Sequence, residues 1–199
     1  MKLEDFQSSP LWQSDSDLRA KESIYNEIWI DGEYDRFGVS VSNGDIVVDC
    51  GANIGIFSQY AIHKGAKEVY SYECGDEEYK YLKINTKNNN RIKVFKGYVS
   101  DKDYNVEKII NDNNLSHIDF LKIDIEGYEY DLILNEKDSF LKRVNKMAIE
   151  LHNFGMFINS TEYYSKILNL IEKLSLCGFK ISFEHIHKNT NLYMLYVSK

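Results

Sequence analysis

The stretch Asp45-Ile-Val-Val-Asp-Cys-Gly-Ala-Asn-Ile-Gly55 decides the fold of this chain. Its residues 46–49 are predicted to form a buried strand, because a short β-branched run between turn residues suits the centre of a sheet. Gly51, Asn53 and Gly55 then allow a tight turn and a close approach of the backbone to a bound molecule. A helical pattern follows directly after the turn. This order of strand, glycine-rich turn and helix presents a nucleotide-like ligand at the carboxyl ends of the strands in a doubly wound sheet.

The spacing of the turn residues separates two kinds of nucleotide site. The dinucleotide fingerprint requires glycine at the first, third and sixth positions of its turn. Counted from Gly51, the third and sixth positions are Asn53 and Ile56, so a nicotinamide-dependent dehydrogenase is the least favoured candidate function. A turn that only packs the helix on the strand, without any ligand, is the alternative interpretation.

The bulk composition indicates an acidic protein with one domain. A chain of 199 residues suits one domain with a sizeable core, or a domain with a short extension. The net charge is −7 and no block of five or more Lys and Arg residues occurs, so nucleic acid is not a favoured partner. No apolar run approaches the roughly 20 residues that span a bilayer, so we expect no membrane association.

The cysteines and the N-terminal residues favour a cytoplasmic location. Cys50, Cys74 and Cys177 are odd in number and lack C-x-x-C spacing, so we expect reduced, mostly buried thiols rather than zinc ligands or catalytic groups. The N-terminus contains Glu4 and Asp5 and no apolar segment, which is unlike a secretory signal.

Residues 1–44 are predicted to be an N-terminal extension that packs on a core domain of residues 45–199. Asp15 or Ser16 is placed to cap a first helix. The Asp31-Gly32 pair lies between apolar alternations and predicts a β-hairpin. We therefore expect a lead-in made of one helix and one hairpin.

The rest of the chain alternates between strands and helices. Strands are predicted at residues 46–49, 68–73, 92–98, 118–124, 146–152, 180–184 and 192–197. Helices are predicted from residue 56 to the glycine at 65, at 76–87 and 106–111, from residue 128, and at 161–176. The alternation implies an α/β fold whose parallel sheet has right-handed crossovers. The last two strands, joined by the Asn189-Thr190-Asn191 turn, form a hairpin and add an antiparallel element.

Polar residues at the ends of the predicted strands are the first candidates for a site. Glu73 ends the second strand 18 residues after Gly55, about where a carboxylate binds a ribose diol in nucleotide-binding sheets. Ser100 and Asp101 follow the third strand, where Asp101 is placed to hydrogen-bond an adenine edge. The alternative for Glu73 is a solvated residue at a strand end without a ligand, and the alternative for Asp101 is an ordinary aspartate in a turn.

The fourth and fifth strands carry a second group of polar residues. Lys122, Asp124 and Glu126 alternate with isoleucines and therefore share one face of an extended segment. Burying such charges is costly unless they are paired or bound to something, although surface salt bridging is the alternative. Glu150 and His152 likewise share one face at the end of the fifth strand.

Several of these motifs together resemble the FkbM family of class I methyltransferases. They are residues 47–57, Tyr72-Glu73, Asn85, Phe120-Leu-Lys-Ile-Asp-Ile-Glu-Gly-Tyr-Glu129 and Ile149-Glu-Leu-His152. The similarity covers roughly residues 27–155. It implies a Rossmann-like seven-stranded sheet, S-adenosylmethionine as the methyl donor, and methylation of a hydroxyl, often on a sugar or polyketide-like acceptor. Two departures are Cys74, where members commonly have proline, and a short chain with little room for a substrate lid.

The resemblance assigns candidate roles to the strand-end residues and makes residues 45–199 the methyltransferase domain. The candidate donor-binding residues are Asp49, Gly51, Asn53, Gly55, Glu73, Ser100, Asp101 and Asp124. An alcohol must lose its proton during methylation, and His152 is the first candidate base because neutral imidazole is available near pH 7. Glu126 and Glu150 are the second candidates. A divalent ion such as Mg²⁺ held by Asp124, Glu126, Glu150 or His152 is a rival assignment that we do not favour, and no metal site is predicted.

Two other functions remain open on the same fold. An RNA or other nucleic-acid methyltransferase would need a basic surface, which the net charge of −7 argues against. A non-catalytic domain that binds the donor or a partner protein could use exposed aromatics such as Tyr128, Phe154 and Phe157. We expect a small molecule or a sugar hydroxyl as the acceptor. The acceptor's identity and the oligomeric state are not specified by the sequence.

Overall fold

The computed structural model describes residues 18–153, 160–187 and 192–199 of the chain. Its centre is a seven-stranded sheet formed by β1 Ile46–Cys50, β2 Glu68–Glu73, β3 Ile92–Lys96, β4 Ile118–Ile123, β5 Val144–Leu151, β6 Lys180–His187 and β7 Leu192–Ser198. The strands follow the order β3-β2-β1-β4-β5-β7-β6. All pairs from β3 to β5 are parallel, whereas β7 is antiparallel to both β5 and β6. The predicted α/β fold, with a mostly parallel seven-stranded sheet and an antiparallel C-terminal strand, is confirmed.

Helices cover both faces of the sheet. They are α1 Leu18–Tyr25, α2 Ile56–His63, α3 Asp76–Thr86, α4 Val106–Asp112, α5 Glu129–Asn135, α6 Asp138–Leu141 and α7 Ser160–Leu176. Val48 and Leu121 belong to a hydrophobic cluster with residues of α4, α5 and α7. Val47 and Phe120 belong to a second cluster with residues of α1, α2 and α3. Neighbouring residues of β1 and β4 thus face opposite apolar layers, which explains why both strands carry apolar residues at consecutive positions.

The lead-in differs from the sequence-based prediction in one element. The chain continues from α1 into a π-helical turn at Asn26–Ile30, and the N–H of Asp31 donates to the carbonyl of Asn26 at 2.8 Å. Asp31 is right-handed helical (φ −83°), whereas a type I′ hairpin turn requires a positive φ at both central residues. Gly32, at φ 63°, follows the end of the helical segment as a left-handed glycine commonly does. The predicted hairpin at Asp31-Gly32 is therefore wrong.

In the described part of the lead-in, β-pairing is limited to one isolated antiparallel bridge between Arg36 and Val39. Tyr25 and Val41 of this segment share a hydrophobic cluster with the sheet. Lys146 of β5 also donates to the carbonyl of Ser40 at 2.7 Å. The described lead-in therefore packs on the core, although the division at residue 44 stays a prediction. The predicted helix caps, Asp15 and Ser16, lie outside the described residues.

The other predicted elements agree with the structure to within a few residues, whereas the short helix α6 was not predicted. The turn predicted at 189–191 lies outside the described residues, but β6 and β7 pair as the antiparallel hairpin strands that it implies. All three cysteines are free thiols, and Cys50 and Cys177 are buried whereas Cys74 is exposed. Within the described ranges, none of the helices combines the length and apolar character that crossing a lipid bilayer requires.

Candidate active site

The glycine turn after β1 brings the ends of β1 and β4 into direct contact. Gly51 has a φ of 79°, and a Cβ atom at this position would lie 1.7 Å from the carbonyl oxygen of Asp124. The N–H groups of Gly51 and Ala52 both donate to the carbonyl of Tyr72 at the end of β2, at 3.1 and 2.9 Å. A side chain at residue 51 would therefore separate two neighbouring strand ends, which explains the requirement for glycine here.

Glu73 connects the glycine turn to the end of β2. The N–H of Asn53 donates to Glu73 Oε2 and the N–H of Gly75 donates to Glu73 Oε1, both at 2.7 Å. The carboxylate is buried, and each of its oxygens has a second acceptor site besides the one used by the backbone. Glu73 therefore holds the turn in place and can still accept hydrogen bonds from a bound diol.

A cavity of about 360 Å³ opens above the glycine turn. It is lined by residues from the ends of β1 to β4, namely Gly51, Asn53, Tyr72, Glu73, Cys74, Glu78, Gly97, Tyr98, Val99, Asp124, Ile125, Glu126 and Tyr128. Its volume falls within the range of small-molecule sites, and its walls mix apolar side chains with a few polar groups. Four of the eight predicted donor-binding residues line it: Gly51, Asn53, Glu73 and Asp124.

The other four predicted donor-binding residues lie outside this lining. Asp49 is fully buried, where its Oδ2 accepts a hydrogen bond of 2.6 Å from Ser58. Gly55 precedes α2, and its missing side chain leaves room for Leu82. Ser100 Oγ accepts from the N–H groups of residues 102 and 103. Asp101 accepts from the Asn135 side chain at 2.9 Å. Their predicted roles are not tested by this geometry, and any role of Asp49 in donor binding would be indirect.

Several lining residues were not singled out by the sequence. Gly97, Tyr98 and Val99 follow β3, and Glu78 lies in the first turn of α3. The available signal was their position just beyond a parallel strand, since ligands bind outside the carboxyl ends of such strands. Lys122 was noted for its charge, and the structure places it below the cavity rather than in its lining.

A second cavity, of about 180 Å³, lies between the lead-in and the sheet. Its lining comprises Ile24, Glu27, Ile28, Tyr34, Gly51, Ala52, Asn53, Ile56, Phe57, Lys122, Asp124, Glu126 and Glu150. Gly51, Asn53, Asp124 and Glu126 line both cavities. A molecule in the larger cavity and another in the smaller one would therefore meet at the ends of β1 and β4.

Lys122 is a buried cation in the wall of the smaller cavity. Its Nζ lies 3.1 Å from Asp124 Oδ2 and 3.3 Å from Asp49 Oδ1, and it donates to the carbonyl of Gly51 at 2.9 Å. Burial alone would lower the pKa of Lys122, but the carboxylates of Asp124 and Asp49 outweigh this effect and raise it. The ammonium group therefore stays charged and fixes the positions of both carboxylates and of the glycine turn.

His152 is buried at the end of β5 among carboxylates. Its Nδ1 lies 2.8 Å from Glu129 Oε1, and its Nε2 faces Glu150 Oε1 at 3.4 Å. Burial alone would lower the pKa of the imidazole, but the hydrogen bonds to Glu129 and Glu150 outweigh this and raise the pKa to about 11. This arrangement favours the charged imidazolium over the neutral form expected from the sequence, because helix α5 brings in the buried Glu129 carboxylate. The catalytic role of His152 stays a prediction.

Glu126 has an unusual backbone conformation beside both cavities. It is a non-glycine residue with a φ of 57°, and strained residues of this kind cluster at functional sites. Its Oε2 lies 3.7 Å from His152 Nε2, and its side chain is mostly exposed. Burial raises the pKa of the Glu126 carboxyl, His152 lowers it and Asp124 raises it, with a net rise. Glu126 is thus better suited than His152 to accept a proton near pH 7.

The strand order and the cavity at the strand ends are Rossmann-like, and solved structures of methyltransferases have a similar fold. A methyltransferase FkbM from Methylobacillus flagellatus KT is 21% identical with a TM-score of 0.59, and the match covers 86% of this chain and 47% of that one. A ribosomal protein L11 methylase from Lactobacillus delbrueckii subsp. bulgaricus is 16% identical with a TM-score of 0.53, covering 79% and 71% of the two chains. At these identities the likeness establishes the fold.

The sequence comparison gives one family-model match. Residues 86–181 match the family model described as the methyltransferase FkbM domain. Over these residues the match confirms the resemblance to the FkbM family that the motifs indicate. A curated relative, the AMB antimetabolite synthetase AmbE of Pseudomonas aeruginosa, is 21% identical over 205 residues covering 68% of this chain. The chain spans about a tenth of the length of that relative.

Proposed function

We propose that this chain transfers a methyl group from S-adenosylmethionine to a hydroxyl group of a small molecule or sugar. The observation that carries the proposal is the Glu73 carboxylate at the rim of the larger cavity, next to a turn where Gly51 leaves the backbone open to a ligand. When bound, S-adenosylmethionine supplies an electrophilic methyl group on a sulfonium. The match of residues 86–181 to the FkbM domain supports this donor.

The residues present fit such a donor. Both Glu73 oxygens are already oriented by backbone N–H groups, and this pre-organisation lowers the entropic cost of accepting a ribose diol. Tyr98 and Val99 also line this cavity, and their side chains offer apolar surface for a flat base. Asp124 lies between the two cavities, where it holds Lys122 and the strand ends in register.

The smaller cavity is the proposed place for the acceptor. It adjoins the larger one through Gly51, Asn53, Asp124 and Glu126, so an acceptor there would lie next to a donor in the larger cavity. Alignment of the acceptor oxygen with the methyl carbon is the enzyme's main task in such a displacement. Glu126 is now our first candidate for the base that removes the hydroxyl proton, and Glu150 and His152 follow.

The charge of the smaller cavity weighs against a nucleic-acid acceptor. Glu27, Asp124, Glu126 and Glu150 line it, and Lys122 is their cationic neighbour in the lining. A polyanion would be repelled by this surface, and the chain as a whole carries a net charge of −7. We therefore favour a neutral or cationic small molecule over RNA.

Calorimetry and a turnover assay test the proposal together. S-Adenosylmethionine and S-adenosylhomocysteine are titrated into the protein, and the protein is then incubated with isotopically labelled donor and a panel of hydroxylated small molecules. We expect saturable donor binding and transfer of label to at least one hydroxyl. Absence of donor binding at millimolar concentration would reject the proposal, and donor binding with transfer only to RNA would reject the acceptor class.

A further inference from the structure

We propose that Asp124, Glu150 and His152 form a binding site for one divalent cation at the junction of the two cavities. Each of these side chains offers one ligand atom, and the three atoms lie within 4.8 Å of one another. The residues come from the ends of the adjacent parallel strands β4 and β5, so the sheet itself sets their spacing. A mixed set of carboxylate oxygens and one imidazole nitrogen suits Mn²⁺ or a similar ion better than Ca²⁺.

The distances fit an ion after a small closure of the side chains. His152 Nε2 lies 3.4 Å from Glu150 Oε1 and 3.8 Å from Asp124 Oδ1. Ligands at about 2.1 Å from an ion and at right angles to one another are about 3 Å apart. The two distances from His152 Nε2 exceed this value by less than an ångström, so small side-chain rotations would bring both carboxylates to ligand distance.

The groups behind the ligands orient them in the way that metal sites require. His152 Nδ1 is held by the fully buried Glu129 at 2.8 Å, which leaves Nε2 directed at the two carboxylates. Glu129 Oε1 in turn accepts from the N–H groups of Ile125 and Gly127, so it is itself fixed by the backbone. A carboxylate on the far nitrogen of a ligating histidine is the common outer-shell arrangement of protein metal sites.

Tyr34 provides a second orienting contact, from the lead-in. Its hydroxyl lies 2.8 Å from Glu150 Oε2 and 3.2 Å from Asp124 Oδ2. These are the outer oxygens of the two carboxylates, and the inner oxygens face His152 Nε2. The tyrosine therefore bridges the two ligands and turns one oxygen of each toward the proposed ion.

The local charge also favours a dication. Four carboxylates lie within 3.8 Å of the His152 ring nitrogens: Asp124, Glu126, Glu129 and Glu150. Among the described residues, Lys122 and the protonated His152 are the cations in contact with them, with Lys122 3.1 Å from Asp124. An ion bound at Nε2 would take the place of the Nε2 proton, because a ligating imidazole must be deprotonated, and a dication would add one further positive charge to this oxygen-rich site.

The proposed ion would act on the acceptor. With three protein ligands, the ion would have coordination positions left for an acceptor hydroxyl in the smaller cavity, which Asp124 and Glu150 line, and this last step rests on the proposed function. The ion would supply Lewis acidity that lowers the pKa of the hydroxyl. Glu126 would accept the hydroxyl proton while the oxygen forms a bond to the methyl carbon and the carbon–sulfur bond breaks with its electron pair remaining on sulfur.

Titration with Mn²⁺ in the absence of any methyl donor tests the site. Free Mn²⁺ is followed by electron paramagnetic resonance with the full chain, with Glu150→Gln, and with Glu172→Gln, which makes the same change at an exposed position of α7. We expect one saturable Mn²⁺ per chain in wild type and Glu172→Gln. Because loss of an outer-shell partner alone costs 10–100-fold, affinity in Glu150→Gln should fall at least about tenfold.

A spectroscopic signature keeps the test valid if the Glu150 variant does not fold. Bound Mn²⁺ in wild type should show spin-echo modulation from one imidazole nitrogen, as His152 coordination requires. Absence of saturable binding at millimolar Mn²⁺, binding without the nitrogen signal, or full affinity in folded Glu150→Gln would each overturn the inference. Because no donor is present, these outcomes are independent of whether S-adenosylmethionine binds.

Discussion

Replacing Gly51 by alanine should be far more damaging than the same change at another left-handed glycine. In Gly51→Ala the new Cβ would lie 1.7 Å from the Asp124 carbonyl oxygen. Gly38 has nearly the same φ, 77° against 79°, but a Cβ there would meet no atom within 4 Å. Gly38→Ala therefore carries the conformational cost alone, about 1–2 kcal/mol, and serves as the matched control.

The additional cost at Gly51 comes from the contacts that the displacement would break. Relieving the clash requires the ends of β1 and β4 to separate by more than about an ångström, because carbon–oxygen contacts below about 3 Å are strongly repulsive. That movement would stretch the hydrogen bond from the Asp124 N–H to the Cys50 carbonyl and the bond from Lys122 to the Gly51 carbonyl. A neutral bond contributes about 1 kcal/mol and a charged one about 2 kcal/mol, so the total loss should be about 4–5 kcal/mol.

Urea denaturation followed by circular dichroism measures both variants on one scale. We expect Gly51→Ala to lose about 3 kcal/mol more than Gly38→Ala. We also expect calorimetry to show donor binding only in Gly38→Ala. Recovery of Gly51→Ala solely as insoluble protein, beside soluble Gly38→Ala, would give the same ranking. Equal losses of unfolding free energy in two soluble variants would refute the close approach of the strand ends.

Three further changes probe the charged groups. Glu73→Gln places an amide NH₂ against a backbone N–H, so the donor Kd measured by calorimetry should rise about 10–100-fold. Glu77→Gln, on the exposed side of α3, should leave the Kd unchanged. Equal effects of the two substitutions would assign the loss to net charge. Glu126→Gln should lower kcat about 10²–10⁴-fold in a methyl-transfer assay with donor affinity retained, and an unchanged kcat would exclude it as the base. Burial and the Glu150 carboxylate raise the pKa of Glu33 to about 8, so the folded state keeps a proton that the unfolded chain releases near pH 4.5. Between pH 5 and 8, wild type should therefore lose about 3 kcal/mol of unfolding free energy relative to Glu33→Gln. Urea denaturation in the presence of a chelator measures this, and parallel pH profiles of the unfolding free energy in the two proteins would contradict it.

The sequence was most informative where the chain is buried on both sides. The β1 and β2 strands were predicted to within one residue, because short runs of β-branched and aromatic residues between turn residues rarely form any other secondary structure. The Asp31-Gly32 pair misled, since the same two residues can end a helical segment or turn a hairpin. Only the φ of Asp31, set by the preceding helix, distinguishes the two.

The site was predictable as far as it depends on strand ends. Gly51 and Glu73 line the larger cavity because parallel strands end at one edge of the sheet. The orientation of the charged groups was not predictable, because it depends on distant segments. Tyr34 reaches Asp124 across 90 residues of chain, and Glu129 reaches His152 across 23. No spacing rule connects such pairs. The protonation state of His152 and the direction of its Nε2 atom can therefore be inferred only from the folded structure.

The strand order has a consequence for how the chain acquires its shape. In the described structure β6 joins the sheet through β7, although β7 follows it in the chain. A nascent chain that has emerged as far as β6 but lacks residues 192–198 therefore has no strand with which β6 can pair, and the edge of β5 stays unpaired. Unpaired strand edges of this kind pair with other chains. A premature stop before Leu192 should thus remove two strands rather than one, and should yield aggregates instead of a slightly smaller enzyme.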